Sequence, residues 1–220
     1  MSRTQSKDSP PGEMRLTELR SDGCTAIVAV RRRIEGKRRL AKVLGVPERL
    51  ALVRRMLARV LAVLQTADSV ARVVVVSPER DEIPSHIPVL ADPGNDQNFA
   101  VAHAHQLLRD LGCREFLILP ADLPTLSPAE VDQFVALGRR QGFALAVDST
   151  GHGSNGIYLR GSTDFEFHFG SDSASAHRRA ARCRGWSVPA TRIAGFMYDV
   201  DLPRDLARLD VHGIRKAVTG

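Results

Sequence analysis

Four short apolar runs rich in β-branched residues recur along the chain, at residues 26–30 (AIVAV), 73–76 (VVVV), 116–119 (FLIL) and 144–147 (ALAV). Continuous runs of this length suit strands covered on both faces. Between them the period lengthens. Over residues 48–64, Leu50, Val53, Leu57, Val60, Leu61 and Leu64 fall on one helical face. Residues 99–111 form a second helical pattern. Ser127 opens a third, with Glu130 three residues on as a capping box. The βαβα alternation predicts a mostly parallel, Rossmann-like sheet with helices on both faces.

After residue 147 the rhythm changes. Residues 148–155 (DSTGHGSN) are small and turn-forming. A short strand follows at 157–159. Residues 165–173 (FEFHFGSDS) are an aromatic run ending in a polar turn, and a helix containing His177 begins after Asp172 or Ser173. Residues 196–201 (FMYDVD) read as a last strand carrying alternate carboxylates, ended by Leu202 and Pro203, with a terminal helix over 204–209. No internal repeat or low-complexity linker appears. The pattern predicts a flexible polar tail over 1–22 and a single domain over 23–220.

Composition narrows the partners. The chain has 220 residues and is 43% hydrophobic, enough for one sizeable core. No apolar run nears the roughly 20 residues that span a bilayer, and the N-terminal segment lacks a signal-peptide core, so no membrane role is expected. Cys24, Cys113 and Cys183 follow no zinc spacing and suit reduced thiols in a cytoplasmic protein. The net charge of +6 would suit nucleic acid, but residues 31–42 alone carry seven cations against one acid, Glu35. One dense cluster beside a glycine suits a polyphosphate equally well. With two Tyr and one Trp, base-stacking platforms are poorly supplied, and nucleic acid is not the expected partner.

Three groups of residues could carry chemistry. Asp122 stands where the third apolar run stops between Pro120 and Pro124, at the strand end where open α/β sheets bind ligands. Alone, such an aspartate is more often a turn residue capping the helix that follows. Asp199 and Asp201 share one side of a strand by period-two alternation, and carboxylates from two strand ends can converge on Mg²⁺. Arg31, Lys37 and Arg39 follow the first strand and could neutralise a triphosphate, or form a solvated basic face. The loops 151–155 and 170–173 offer backbone N–H groups, with Ser154 and Ser173 adding hydroxyls, although ordinary glycine turns look the same. His177 suits a structural role better than a general base.

These motifs, in order, resemble the CofC/FbiD guanylyltransferases of coenzyme F-420 biosynthesis. The resemblance covers roughly residues 24–210 and rests on Lys37-Arg-Arg39-Leu40, Asn98 opening a helix, Ala121-Asp122-Leu-Pro, Gly153-Ser154-Asn155, Phe169-Gly170-Ser-Asp-Ser173 with His177, and Asp199-Val-Asp201-Leu-Pro-Arg-Asp-Leu. It implies a nucleotide-diphospho-sugar transferase type of fold and transfer of GMP from GTP to a phosphorylated three-carbon acid, with release of pyrophosphate. It implies Asp122, Lys37 and Arg39 as catalytic residues and Arg31, Lys37, Arg39 and Asn98 around the nucleotide. It places Ser154, Gly170 and Ser173 on the acid, and Asp122, Asp199 and Asp201 on Mg²⁺, and leaves room for hand-off of product to the next enzyme. Family members use 2-phospholactate, phosphoenolpyruvate or 3-phosphoglycerate, and the acceptor stays open. A molybdopterin or sugar nucleotidyltransferase of the same fold is the nearest alternative, although such enzymes usually carry a more glycine-rich first loop. A basic nucleic-acid-binding module is the alternative from another class.

Overall fold

The computed structural model describes residues 23–30, 37–92, 96–161, 164–188 and 190–211. The tail over 1–22 and Arg31 lie outside the described residues. The strands are β1 (Cys24–Ala29), β2 (Val70–Ser77), β3 (Val89–Ala91), β4 (Glu115–Pro120), β5 (Phe143–Val147), β6 (Ser154–Arg160) and β7 (Ala190–Thr191). The helices are α1 (Val46–Thr66), α2 (Gln97–Asp110), α3 (Pro128–Gln141), α4 (Ser173–Arg182), α5 (Ala194–Met197) and α6 (Pro203–Val211), with a short 3-10 helix at Arg38–Lys42.

One seven-stranded sheet runs β3-β2-β1-β4-β6-β5-β7. Every pairing is parallel except those of β6, which is antiparallel to β4 and β5. The reversal of β6 matters for function. Its first residue, Ser154, lies at the edge of the sheet where β4 ends, so residues from both strands meet there. The predicted α/β sheet is therefore present, and β3 and β7 add two short edge strands that the apolar pattern did not reveal.

Alternation divides the buried runs between two cores. Leu117 and Leu119 of β4 face α1 and α3, packing with Leu57, Leu61, Val131 and Phe134. Phe116 and Ile118 face α2 and α4, packing with Val101, Leu108, Ala174 and Ala181. Both sides of β4 are thus apolar, which is why its sequence is a continuous run. A third, smaller core joins Leu40 of the 3-10 helix, Leu52 and Met56 of α1, Val200, and Leu209 of α6.

The strand expected over residues 196–201 is not formed. Phe196 and Met197 belong to the helical turn α5, and residues 198–201 are irregular. Several backbone groups in and beside this segment are satisfied otherwise. The Gly195 N–H donates to Glu130 Oε1 at 2.7 Å, and the Phe196 N–H donates to the Ile193 carbonyl. The Asn155 amide donates to the Phe196 carbonyl at 2.8 Å, and the Ser149 N–H to the Met197 carbonyl. Phe196 is fully buried, 4.9 Å from the Phe134 ring, and a side chain at Gly156 would collide with it. Glu130 is the capping-box residue of α3, accepting from the Ser127 N–H at 3.0 Å, so one carboxylate caps α3 and holds α5.

Candidate active site

Asp122 follows the last residue pair of β4, in a turn braced by α1. The Arg59 guanidinium donates to the carbonyls of Pro124 and Leu126, while Leu123 and Leu126 are fully buried. The sequence pattern gave no hint of Arg59, because an arginine on a helix flank looks like solvent-facing charge.

Asp199 and Asp201 arrive from the other side. Their separation by Val200, which is buried beside Leu40, turns the two flanking carboxylates towards Asp122. An oxygen from each of Asp122, Asp199 and Asp201 lies within 4.8 Å of the others. The predicted convergence is present without the predicted strand. Tyr198 has extended dihedrals (φ −120°, ψ 91°), so the approach to this pair of carboxylates is stretched although residues 198–201 belong to no strand. Asp205 fixes the end of this segment, accepting from the N–H groups of Asp201 at 3.1 Å and Leu202 at 2.7 Å.

Lys37 closes the cluster. It precedes the 3-10 helix in a left-handed conformation (φ 57°). Its ammonium donates to Asp122 Oδ2 and, at 2.7 Å, to Asp201 Oδ1. Burial alone would lower its pKa, but Asp122 and then Asp201 outweigh burial and hold it above the ordinary lysine value. Arg39 is more peripheral, 4.0 Å from Asp201 Oδ2 and largely exposed. Such a pair adds little stability and leaves the guanidinium available to a ligand. The Asp199 carboxyl is pushed up to about 6, first by burial and then by the charges of Asp122 and Asp201.

This donor set fits a hard divalent cation. It offers only oxygens, it concentrates three carboxylates, and Asp122 Oδ1 is buried without a hydrogen-bond partner among the described residues. A bare acceptor at such depth costs free energy unless a cation or donor approaches it.

The second half of the site surrounds the start of β6. Asp148 accepts from His152 N–H at 3.0 Å and from the Thr150 hydroxyl, and its carbonyl accepts from Gly151 N–H. The Ser154 N–H donates to Ser173 Oγ at 2.9 Å. Several backbone donors expected to face an anion are therefore used within the loop. The hydroxyls of Ser154 and Ser173 lie side by side here. Ser154 Oγ is 2.8 Å from His177 Nδ1, and His177 Nε2 accepts from the His168 N–H at 2.8 Å. Gly170 sits at φ 138°, a conformation that disfavours any side chain, just before the turn into α4.

Asn98 lies on α2, whose N-cap Asp96 accepts from the Asn98 N–H at 2.8 Å. The Asn98 side-chain amide pairs both ways with Phe169, donating to its carbonyl at 3.1 Å and accepting from its N–H at 2.5 Å. The structure thus brings Asn98 to the loop carrying Gly170. Asn155 links the two halves, since the amide that holds the Phe196 carbonyl also lies 3.5 Å from Asp199 Oδ1.

Comparison with known proteins identifies the family and the fold. The family model described as guanylyl transferase CofC like matches residues 24–219. The chain is similar to the phosphoenolpyruvate guanylyltransferase of Sphaerobacter thermophilus, 35% identical over 192 residues, covering 85% of this chain and 92% of that one. It is 34% identical over 189 residues to the 3-phospho-D-glycerate guanylyltransferase of Phenylobacterium zucineum, covering 82% and 86%. A crystal structure from Desulfovibrio desulfuricans G20, assigned to the nucleotide-diphospho-sugar transferases, superposes with a TM-score of 0.71 at 19% identity, covering 84% of this chain and 85% of that one. That likeness establishes the fold. With the family model spanning nearly all of the described residues, the chain belongs to the CofC-like guanylyl transferases.

Proposed function

We propose that this chain transfers GMP from GTP to the phosphate of a three-carbon phospho-acid in a Mg²⁺-dependent reaction. The observation that carries the reading is the convergence of Asp122, Asp199 and Asp201 beside the Lys37 ammonium. Asp122, Asp199 and Asp201 would hold the metal, which when bound supplies charge neutralisation for the phosphates. Arg31, Lys37, Arg39 and Asn98 are assigned to the nucleotide side, and Ser154, Gly170 and Ser173 to the acid.

An oxygen of the acceptor phosphate attacks the α-phosphorus of GTP in line. The bond from that phosphorus to the α–β bridging oxygen breaks, and pyrophosphate leaves with the electron pair. The attacking oxygen is already ionised at neutral pH, so no general base is required. The chain's task is to bring two polyanions together and orient them. Lys37 supplies a cation at the seat of reaction, and Arg39 a second at its rim. The neutral hydroxyls of Ser154 and Ser173 orient the acid without adding charge.

The test is pyrophosphate release from GTP with phosphoenolpyruvate, 2-phospholactate and 3-phosphoglycerate offered separately, with Mg²⁺ and after chelation. Release with one acid, abolished by chelation and restored by Mg²⁺, is expected. Folded protein that releases no pyrophosphate with any acid would overturn the assignment; release that survives chelation would overturn the metal.

A further inference from the structure

The ring of His177 is completely buried, with Phe169 edge-on at 4.9 Å and Phe165 stacked at 6.0 Å. Its two nitrogens have different partners. Nε2 faces the His168 backbone N–H, which can only donate, so Nε2 must present its lone pair. In a neutral imidazole the proton then resides on Nδ1. The Nδ1–H therefore donates to Ser154 Oγ, 2.8 Å away. The surroundings keep the ring neutral, since burial, aided by the nearby His168, pushes its pKa down to about 3.

This fixes the sense of the hydroxyl. Ser154 Oγ has accepted a proton donor from inside the protein, so its own O–H has no acceptor in His177 and must point elsewhere. Ser173 repeats the logic, because its Oγ accepts the Ser154 N–H and keeps its own O–H to donate. Two adjacent hydroxyls are thus supplied with internal donors and left as donors themselves. A pair of that polarity suits a group that only accepts, such as a carboxylate or a phosphate.

We propose that His177 is a positioning residue that sets Ser154 as a hydrogen-bond donor to the acid substrate. This rests on the assignment of Ser154 to the acid. Sequence alone gives His177 no such role, since its partner is 23 residues away in another element.

Steady-state kinetics of His177→Ala should raise KM for the acid about tenfold, the worth of one hydrogen bond to a charged group, with KM for GTP unchanged. His177→Asn, whose side-chain amide can still donate to Ser154 Oγ, should recover most of that loss. In a Ser154→Ala background, His177→Ala should cause no further rise. Equal losses in both His177 variants, parallel changes in KM for GTP, or multiplicative effects of the two substitutions would each overturn the inference. Should His177→Ala fail to fold, the tautomer of the wild-type imidazole still decides the inference. Nitrogen-15 NMR of the imidazole reads the tautomer independently of turnover. An Nδ1–H signal is expected, and an Nε2–H signal would overturn the inference even in a fully active enzyme. Wild-type protein with no activity on any acid would instead overturn the assigned reaction, whatever the tautomer.

Discussion

The two halves of the site solve opposite problems. The half formed by β4, the 3-10 helix and residues 199–201 is built from formal charges, three carboxylates and a lysine. The half formed by β6 and α4 is built from neutral groups, two serines and a histidine. The first must neutralise a polyanion and accordingly stores like charges at close range. The second must recognise a small acid already beside those charges, so it selects by the direction of its donors. Charge supplies strength in one half, and hydrogen-bond polarity supplies discrimination in the other.

The sharpest way to break the charged half alone is Asp122→Asn. It keeps the shape, removes one carboxylate and leaves Lys37 partly unpaired. Turnover should fall by roughly 10²–10³-fold, on the scale of losing a direct electrostatic contact to the reacting groups. Pyrophosphate release measures this, with thermal unfolding as the control for folding. Near-normal turnover at saturating Mg²⁺ would remove Asp122 from the mechanism.

Acid should strain the neutral half. His177 is buried there and His105 of α2 is buried in the core behind it, edge-on to Phe116 and Phe167, and desolvation depresses their folded pKa values to about 3 and about 4, below the unfolded value of 6.5. Below pH 6.5 the unfolded chain binds protons that the folded chain refuses. Stability should therefore fall as the pH drops from 6.5 towards 4, by on the order of 3 kcal/mol for each group at most. Denaturant titrations of the Asp199→Asn protein, which lacks the opposing carboxyl, check it across this range, and a flat profile would show that the folded rings take up protons as readily as the unfolded ones.

A rise in pH from 3.8 through about 6 should strain the charged half, by a smaller amount. The folded Asp199 carboxyl titrates at about 6, above its ordinary 3.8. Its protonated form favours folding at low pH, and that contribution is lost as the pH rises through 6. At pH 8, Asp199→Asn should stabilise the ligand-free protein by on the order of 2 kcal/mol while lowering activity. Added Mg²⁺ should raise the Tm of the wild type more than that of the variant. A destabilised Asp199→Asn protein would mean that the ionised carboxylate is better accommodated than its neighbours imply.

Much of the fold was legible in the sequence because local and tertiary signals coincide there. The β4 run is apolar because both its faces are covered, and Ser127 and Glu130 form the capping box that their spacing announces. The three aspartates were legible as a group, though the backbone carrying two of them was not. Alternation of Asp199, Val200 and Asp201 looks the same in a paired strand and in a stretched segment. The choice between them depends on where Glu130, Asn155 and Ser149 find their partners, which lie 40 or more residues away in sequence. β3 and β7 were missed because strands of three and two residues carry no periodicity to read. The grip of Asn98 on Phe169, across 71 residues, likewise has no local signature.

The small core joining Leu40, Met56, Val200 and Leu209 has a consequence for the order in which the enzyme comes into being. Lys37 and Asp201 are 164 residues apart, and this core seats the segments that bear them against each other. A chain emerging from the ribosome can pair β1, β2 and β4 and display Asp122 long before Val200 has been synthesised. Until residues 199–209 dock, Asp122 lacks its fellow carboxylates and Lys37 lacks one of its anchors. Competence therefore arrives as a late, nonlocal step of folding, and a nascent chain can acquire most of its sheet while still having no working centre.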